Sequence, residues 1–376
     1  MPGQCHNHAM IFSPHDHTHM ARALELARRG LYTTTPNPRV GCVLVRDTEG
    51  VNEVVGEGWH QRAGEPHAEV HALRQAGVRA RGATAYVNLE PCAHQGHTPP
   101  CCAALVEAGV SRVVAAMEDP NPLVAGQGFA RLRAANIAVE CGLMADDARS
   151  LNIGFVSRMT RGRPWVRVKI AASLDGKTAL LNGHSQWITG PQARRDGHAW
   201  RAQACAILTG IGTVKDDNPQ LTVREVATTR QPVRVVVDSR LETPLDARVL
   251  GAGTLIAAAA HPAQPMHALQ AQGAEIMLLP NAAGKVELRD LMLELGRRGF
   301  NEVHVEAGYK LNGSLLNAGL VDELLIYLAP SVLGDAAQAM FHLPQLQTLS
   351  AQHKLTFVDV RQIGPDIRIV ARVAPL

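Results

Sequence analysis

The chain has 376 residues, enough for two ordinary domains, and 46% of them are apolar, enough for a core in each. Lys and Arg number 37 against 34 Asp and Glu, a net charge of +3, and aromatic residues are only 4%. That balance excludes a whole-protein field for nucleic acid or an anionic membrane, and the shortage of rings argues against base-stacking platforms.

In chain order, the first stretch holds His6, His8, His15, His17 and His19. It reads as a mobile polar tail through residue 16, because a flexible segment holds a metal poorly. No apolar run follows a basic start, so no secretory signal is expected, and no stretch approaches the roughly 20 apolar residues of a membrane span. The seven cysteines are therefore expected to be cytoplasmic thiols or metal ligands, not a disulfide framework.

Residues 20–29 place Met20, Leu24, Ala27 and Leu31 on one helical face, with Gly30 as a stop. Strands are predicted at 40–45, 51–57, 83–89, 113–117 and 137–141, and helices at 67–75, 101–107, 129–135 and 144–159. Strands joined by helices of this length predict βαβ crossovers and an α/β fold, a three-layer α/β/α sandwich with the first hairpin as an antiparallel edge. Arg161-Gly-Arg-Pro164 ends the last helix, which gives a first domain over 17–160 and a second over 165–376. The second half predicts strands at 165–172, 206–209, 233–237, 254–258, 275–279 and 302–305, helices at 191–203, 264–272, 287–298 and 309–317, and a β-rich end.

The first half carries His67-Ala-Glu69, then Glu90-Pro91-Cys92 and Pro99-Pro100-Cys101. This matches the H-x-E and P-C…C halves of the zinc deaminase signature, with a longer inter-cysteine spacing. The chemistry explains the residue types. A catalytic zinc takes three protein ligands and keeps one open position, and two thiolates neutralise its charge. Glu69, two residues past the imidazole at a helix start, can shuttle protons beside the metal without ligating it. Cys101 opens a predicted helix, whose positive end favours a thiolate. Cys102 competes for the third ligand, but its helical phase turns it about 100° away. His71 reads as a packed or supporting histidine, and His94 and His97 as bordering the substrate.

The second half is quieter. Gly210-Ile-Gly212-Thr213 follows a predicted strand and could bring amides to a phosphate, or be a tight turn. Arg194, His198 and Arg201 fall at helical spacing, a face that is more often solvated than phosphate-binding.

The runs Thr35-Pro-Asn-Pro-Arg-Val-Gly-Cys42, Gly56-Glu-Gly-Trp-His60, His67-Ala-Glu69 and Glu90-Pro-Cys92…Thr98-Pro-Pro-Cys101, with Asp119-Pro-Asn-Pro122, resemble the bifunctional deaminase–reductase family of riboflavin biosynthesis. Ala93 and His97 stand where that family commonly has Ser and Arg. Lys169-Ile-Ala-Ala-Ser-Leu-Asp-Gly-Lys177, Ser185-Gln-Trp-Ile-Thr189, Asp217-Asn-Pro-Gln-Leu-Thr-Val-Arg224, Val237-Asp-Ser239 and Val305-Glu-Ala-Gly308 continue the likeness. The resemblance implies a cytidine-deaminase-like domain followed by a dihydrofolate-reductase-like one, with Zn²⁺ and NADPH as cofactors. It implies zinc ligands His67, Cys92 and Cys101, and catalysis by Glu69. It implies NADPH contacts at Ala171, Trp187, Thr213, Asp217, Ser239, Gly308, Leu311, Gly313 and Ser314. Contacts to a phosphorylated aminopyrimidine are implied at Ser185, Arg201, Leu221, Arg224 and Glu306, where the two arginines suit a dianionic ribose phosphate. A homo-oligomer is expected. The rival readings are a nucleic-acid deaminase, which the composition disfavours, and a zinc-stabilised binding module, which would close its metal with four ligands and need no Glu69.

Overall fold

A computed structural model describes residues 12–374 apart from 49, 94–98 and 123. His6, His8, His94 and His97 lie outside the described residues. The chain divides into two compact units, Met1–Gly162 and Arg163–Leu376.

The first unit runs α1 (Pro14–Arg28), β1 (Gly41–Thr48), β2 (Val51–Trp59), α2 (Ala68–Ala76), β3 (Thr84–Val87), α3 (Cys101–Glu107), β4 (Arg112–Ala115), α4 (Gln127–Ala134), β5 (Ala138–Cys141), α5 (Ala145–Leu151) and α6 (Ile153–Arg161). Its sheet has the order β2-β1-β3-β4-β5. β1 is antiparallel to both neighbours, and β3, β4 and β5 are parallel. Alternation along each strand feeds two cores. Ala68, Ala72, Leu105, Phe129 and Leu132 of α2, α3 and α4 pack on Cys42, Leu44 and Val87. Met20, Leu24, Ala148 and Phe155 of α1, α5 and α6 pack on Val43, Val45 and Val114. This is the expected three-layer sandwich. Gly58 lets α2 lie directly on β2, for a Cβ there would come 2.2 Å from the Ala68 carbonyl oxygen. The start of α2, with the H-x-E segment, is seated by that contact.

Two boundaries differ from the sequence reading. Helix α1 begins at Pro14, inside the stretch read as a tail, because Ser13 and Asp16 form a capping box. Asp16 also accepts hydrogen bonds at 2.7 Å from Tyr86 Oη and from Arg112 Nη1. Burial alone would raise its carboxyl, but the bonds from Arg112, Tyr86 and Ser13 outweigh that and hold it well below its ordinary 3.8. A carboxyl depressed by folding stabilises the fold above its unfolded pKa, and that contribution fades as the pH falls below it. Asp16→Asn should therefore cost about 2 kcal/mol at pH 7, and the gap to wild type should narrow on acidification through the range below 3.8. Urea denaturation of both proteins across that range checks it, and a gap independent of pH would disprove the linkage.

The helix expected over 144–159 is two helices, broken at the buried Asn152. Its side chain accepts from Arg39 N at 2.7 Å and donates to Arg39 O at 2.9 Å, which draws it out of a continuous helix.

The second unit runs β6 (Trp165–Ser173), β7 (Lys177–Ala179), α7 (Pro191–Gln203), β8 (Ala206–Gly210), α8 (Ile211–Asp217), β9 (Val233–Val237), β10 (Thr254–Ala258), α9 (Ala263–Ala271), β11 (Ala274–Leu278), α10 (Leu288–Arg297), β12 (Glu302–Val305), α11 (Tyr309–Asn317), β13 (Glu323–Ala329), β14 (Gln338–Ala339), β15 (Leu355–Ile363) and β16 (Asp366–Val373). The sheet order is β11-β10-β9-β8-β12-β6-β13-β16-β15, with β7 and β14 paired separately. The seven strands from β11 to β13 are parallel, and β16 and β15 are antiparallel. The chain winds outward from β8 to β11 and returns to place β12 between β8 and β6. Ligands of open α/β sheets bind beyond the carboxyl ends of the strands at such a reversal.

One face of β6, Val166, Val168, Ile170 and Ala172, is apolar core. The other carries Arg167 and Lys169. In register beside Arg167 stand His304 of β12 and Glu323 of β13. Helix α7 covers this polar face with Trp200, over which Arg167 stacks at 4.4 Å.

Candidate active sites

In the first unit two loop-to-helix junctions and the loop carrying Cys92 converge. His67 is the N-cap of α2, Glu69 lies in its first turn, and Cys101 is the first residue of α3. Cys92 is joined to α3 by main-chain bonds: Cys101 N donates to Cys92 Sγ at 3.3 Å and Cys102 N to Cys92 O at 3.2 Å. His67 Nδ1 is 3.2 Å from Cys101 Sγ and 3.6 Å from Cys92 Sγ. The three ligand atoms lie within 4.8 Å of one another, and no other such cluster of three occurs among the described residues. Corners of a tetrahedron with zinc–nitrogen and zinc–sulfur bonds of ordinary length are about 3.5–3.8 Å apart. The donor set thus fits a zinc ion in both chemistry and spacing.

The hydrogen bond from the Cys101 thiol brings Cys92 down to about 4 against the effect of burial, and His67 adds to it. Cys101 is pushed up in turn, first by that bond and then by burial. Glu69 is 3% exposed, and its Oε2 has no hydrogen-bond partner among the described residues. Burial, with Cys92 adding to it, raises its carboxyl. A buried carboxylate oxygen left unbonded beside three metal-type ligands is suited to exchange a proton with a reactant. Cys102 is not a fourth donor: it is 1% exposed and packs with Ala72 and Phe129 in the core. His71 lies one turn beyond His67, its Nε2 buried and without a partner among the described residues.

Two residues at this site had no role assigned from sequence. The ring of His60 stands edge-on to His67 at 5.2 Å. Its Nδ1–H donates to Pro66 O at 3.2 Å, which leaves Nε2 to accept from Asn37 Nδ2 at 3.1 Å. Their presence in motif runs was the only signal. Glu90 is a clamp: its carboxylate accepts from the backbone N–H groups of Asp119, Gly126, Gly128 and Phe129, at 2.8–3.2 Å. It thereby ties the Asp119–Phe129 segment to the Cys92 turn.

In the second unit the topology gathers much of the predicted reductase site at the carboxyl ends of parallel strands. Ala171 lies near the end of β6, Thr213 in the helix after β8, Ser239 after β9, and Glu306 and Gly308 after β12. Gly308 is the N-cap of the nine-residue α11, and a Cβ on it would face Thr213 Oγ1 at 3.8 Å. An open helix N-terminus bordered by a hydroxyl suits the phosphates of a dinucleotide. Ser185 Oγ donates to Asp217 at 3.2 Å, and Arg194 stacks on the exposed Trp187 at 4.6 Å.

Arg201 donates to both oxygens of Glu306, at 2.5 and 2.7 Å, and to Thr222 O at 2.9 Å. Burial acts to raise the Glu306 carboxyl, but Arg201, His304 and Lys169 overcome it and hold it well below the usual range. Lys169 is the residue this site adds. Burial lowers its ammonium, and Glu306 works against that fall. Arg224 is exposed and donates to Gln220 Oε1 and Thr222 Oγ1, and its amide donates to His198 Nδ1 at 3.2 Å.

Other predicted contacts have structural work as well. Leu221 sits 2% exposed in a core cluster with φ 51°. Gly313 is buried in α11 with a would-be Cβ 2.0 Å from His342 O, and Leu311 packs against Gly210. Ser239 Oγ accepts from Val286 N at 3.2 Å. Ser314 is exposed on α11 and donates to Lys310 O. The Gly210–Thr213 turn is the entry to α8, and on α7 His198 is buried while Arg194 donates to Thr189 O.

The fold and these two sites define a zinc-dependent deaminase unit joined to a dinucleotide-dependent reductase unit. Family models agree: residues 13–117 match the cytidine and deoxycytidylate deaminase zinc-binding region, and residues 164–369 the RibD C-terminal domain. The chain is 50% identical over 366 residues to riboflavin biosynthesis protein RibD of Escherichia coli, covering 94% of this chain and 98% of that protein. It is 44% identical to the Haemophilus influenzae RibD, covering 95% and 97%. Among solved structures, Acinetobacter baumannii RibD superposes with a TM-score of 0.89 at 44% identity, covering 96% of this chain and 99% of that one. A Thermotoga maritima deaminase/reductase gives 0.83 at 32% identity, with 96% and 99% covered. The chain belongs to the RibD family of riboflavin biosynthesis: it is both a deaminase and a reductase, and its cofactors are Zn²⁺ and NADPH.

Proposed function

We propose that the first unit hydrolyses the 2-amino group of 2,5-diamino-6-(ribosylamino)-4(3H)-pyrimidinone 5′-phosphate and that the second reduces the ribosyl of the product to ribityl. The observation that carries the first step is the unbonded Glu69 Oε2 beside His67, Cys92 and Cys101. In this reading those three residues hold zinc, which when bound acts as a Lewis acid that makes water nucleophilic near neutral pH. Glu69 takes one proton from the attacking water and delivers it to a ring nitrogen. It then takes the remaining proton of the added hydroxyl and delivers it to the departing amino group, which leaves as ammonia. Burial, by raising the Glu69 carboxyl, favours the protonated form that the second delivery needs.

In the second unit the cofactor contacts are Ala171, Trp187, Thr213, Asp217, Ser239 and the Gly308–Ser314 turn, and NADPH when bound supplies the hydride. Arg201 and Arg224 take the ribose phosphate, with Ser185 and the Leu221 backbone beside them. Glu306 and Lys169 face the reacting sugar as a carboxylate–ammonium pair able to hold and pass a proton.

A cytoplasmic location agrees with six cysteines that form no disulfide among the described residues, which also hold no helix long and apolar enough to cross a membrane. A homo-oligomer is part of the same reading. The sheet ends at β15, whose Phe357, Val358 and Val360 are 68%, 51% and 56% exposed. A free, apolar edge strand of that kind is a surface a second copy of the chain would cover.

The test supplies the pyrimidine phosphate with and without NADPH and follows ammonia release and NADPH oxidation separately. Ammonia should appear without NADPH and cease after zinc is chelated, while the deaminated product should still be reduced by the chelated enzyme. Ammonia release that survives complete zinc removal would sink the assignment.

A further inference from the structure

The polar face beneath α7 contains one group that the reductase reading leaves unused. His304 has a fully buried side chain, 0% exposed. It stands opposite Arg167 in the β12–β6 register and two residues before Glu306, hence on the same face of the chain. Its Nε2 lies 3.3 Å from Glu306 Oε1. Neither ring nitrogen has a well-aligned hydrogen-bond partner among the described residues. A buried imidazole with nothing else to bond is costly to keep, and an apolar residue would fill a strand interior at less cost. The feature that rewards its presence is the carboxylate beside it.

We propose that His304 is a positioning residue of the reductase site: it offers an uncharged Nε2–H to Glu306 Oε1 and steadies that carboxylate in its ionised form against Arg201. The proposal rests on the reading of Glu306 as a substrate-facing group. Burial keeps the imidazole neutral, with Arg167 and Arg201 opposing a second proton, although Glu306 pulls the other way. A neutral donor adds a hydrogen bond without adding a charge to a site that already holds two cations near Glu306. The titratable and charged groups around the carboxylate are Arg201 and His198 of α7, Lys169 of β6 and Tyr327 of β13, while Arg167 of β6 faces the imidazole. Of these, Arg201 clamps both oxygens, so His304 adds a second direction of restraint at Oε1. Contacts of this type are often long in the absence of substrate and tighten in the working complex.

The experiment uses the full-length, zinc-loaded enzyme, with the deaminated pyrimidine phosphate and NADPH as substrates, and compares His304→Leu, His304→Gln and Glu306→Gln. His304→Leu should lower reductase kcat about tenfold, the loss of one hydrogen bond to a charged group. It should leave the KM for NADPH unchanged and raise the acidic limb of the kcat–pH profile by about one unit. His304→Gln, which keeps an N–H at that point, should recover most of the rate and the original limb. Cooperative urea unfolding of each variant serves as the folding control, since deaminase turnover reports on the other unit. Should His304→Leu not fold, His304→Met against His304→Gln makes the same comparison at similar volume. Equal impairment of donor and non-donor variants with an unmoved limb, or no impairment in either, would overturn the proposal. A fully active Glu306→Gln would instead overturn the reading of Glu306, and an impaired Glu306→Gln beside an unaltered His304→Leu would overturn His304 alone.

Discussion

Glu69→Gln should lower ammonia release by about 10²–10⁴-fold, the range for loss of a positioned general acid–base, and should leave zinc content unchanged. The side chain is 3% exposed, and the amide has the same shape, so packing survives. The three ligand atoms are on His67, Cys92 and Cys101, which the change does not touch. What is lost is the capacity to take and return a proton at Oε2. Reduction of the deaminated product, carried out in the other unit, should proceed at the wild-type rate. Metal analysis alongside the two assays checks all three statements. Turnover within a few-fold of wild type would remove Glu69 from the mechanism, and loss of zinc would recast it as a structural support.

The largest stability effect is expected at Arg167→Leu. Arg167 is 5% exposed, donates to Glu302 at 3.3 Å and to Glu323, and stacks on Trp200 at 4.4 Å. Both carboxylates are themselves nearly buried, at 4% and 7% exposure. Removing one partner of a buried pair leaves an uncompensated charge and costs about 3–5 kcal/mol, and here two acids lose the same partner. Urea unfolding followed by the fluorescence of Trp200 and its neighbours measures it. A triple change that also replaces Glu302 and Glu323 by apolar residues should recover much of the loss, since burying neither charge is cheaper than burying an orphan. A cost under about 1 kcal/mol for the single change would mean that water reaches the ladder.

The metal centre was legible in the sequence because its chemistry is carried by rare residue types at turn-to-helix junctions. The structure brings His67, Cys92 and Cys101 together, with Glu69 beside them. Much of the sandwich was legible too, since strict alternation and helical spacing leave few other folds. The misses have tertiary causes. Residues 144–159 keep an apolar period across Asn152, and what breaks the helix is a pair of bonds to Arg39, 113 residues away. Residues 13–16 look like a polar tail because their capping box is short and their ion pair with Arg112 spans 96 residues. Arg167 and Lys169 alternate with apolar residues exactly as a water-facing strand would, and only α7 lying across them makes the face internal. Lys169 thus had no signal beyond its place at the head of a motif run, and His304 had no local signature.

Glu90 has a consequence for how such a site can diverge. A carboxylate that accepts four main-chain N–H groups, from Asp119, Gly126, Gly128 and Phe129, joins the far segment and the Cys92 turn into one body. The scaffold can acquire a taste for a different ring by exchanging side chains hung on that body. Reshaping its backbone would drag the Cys92 sulfur away from His67 and Cys101, so new specificity should arise by redecoration and rarely by remodelling.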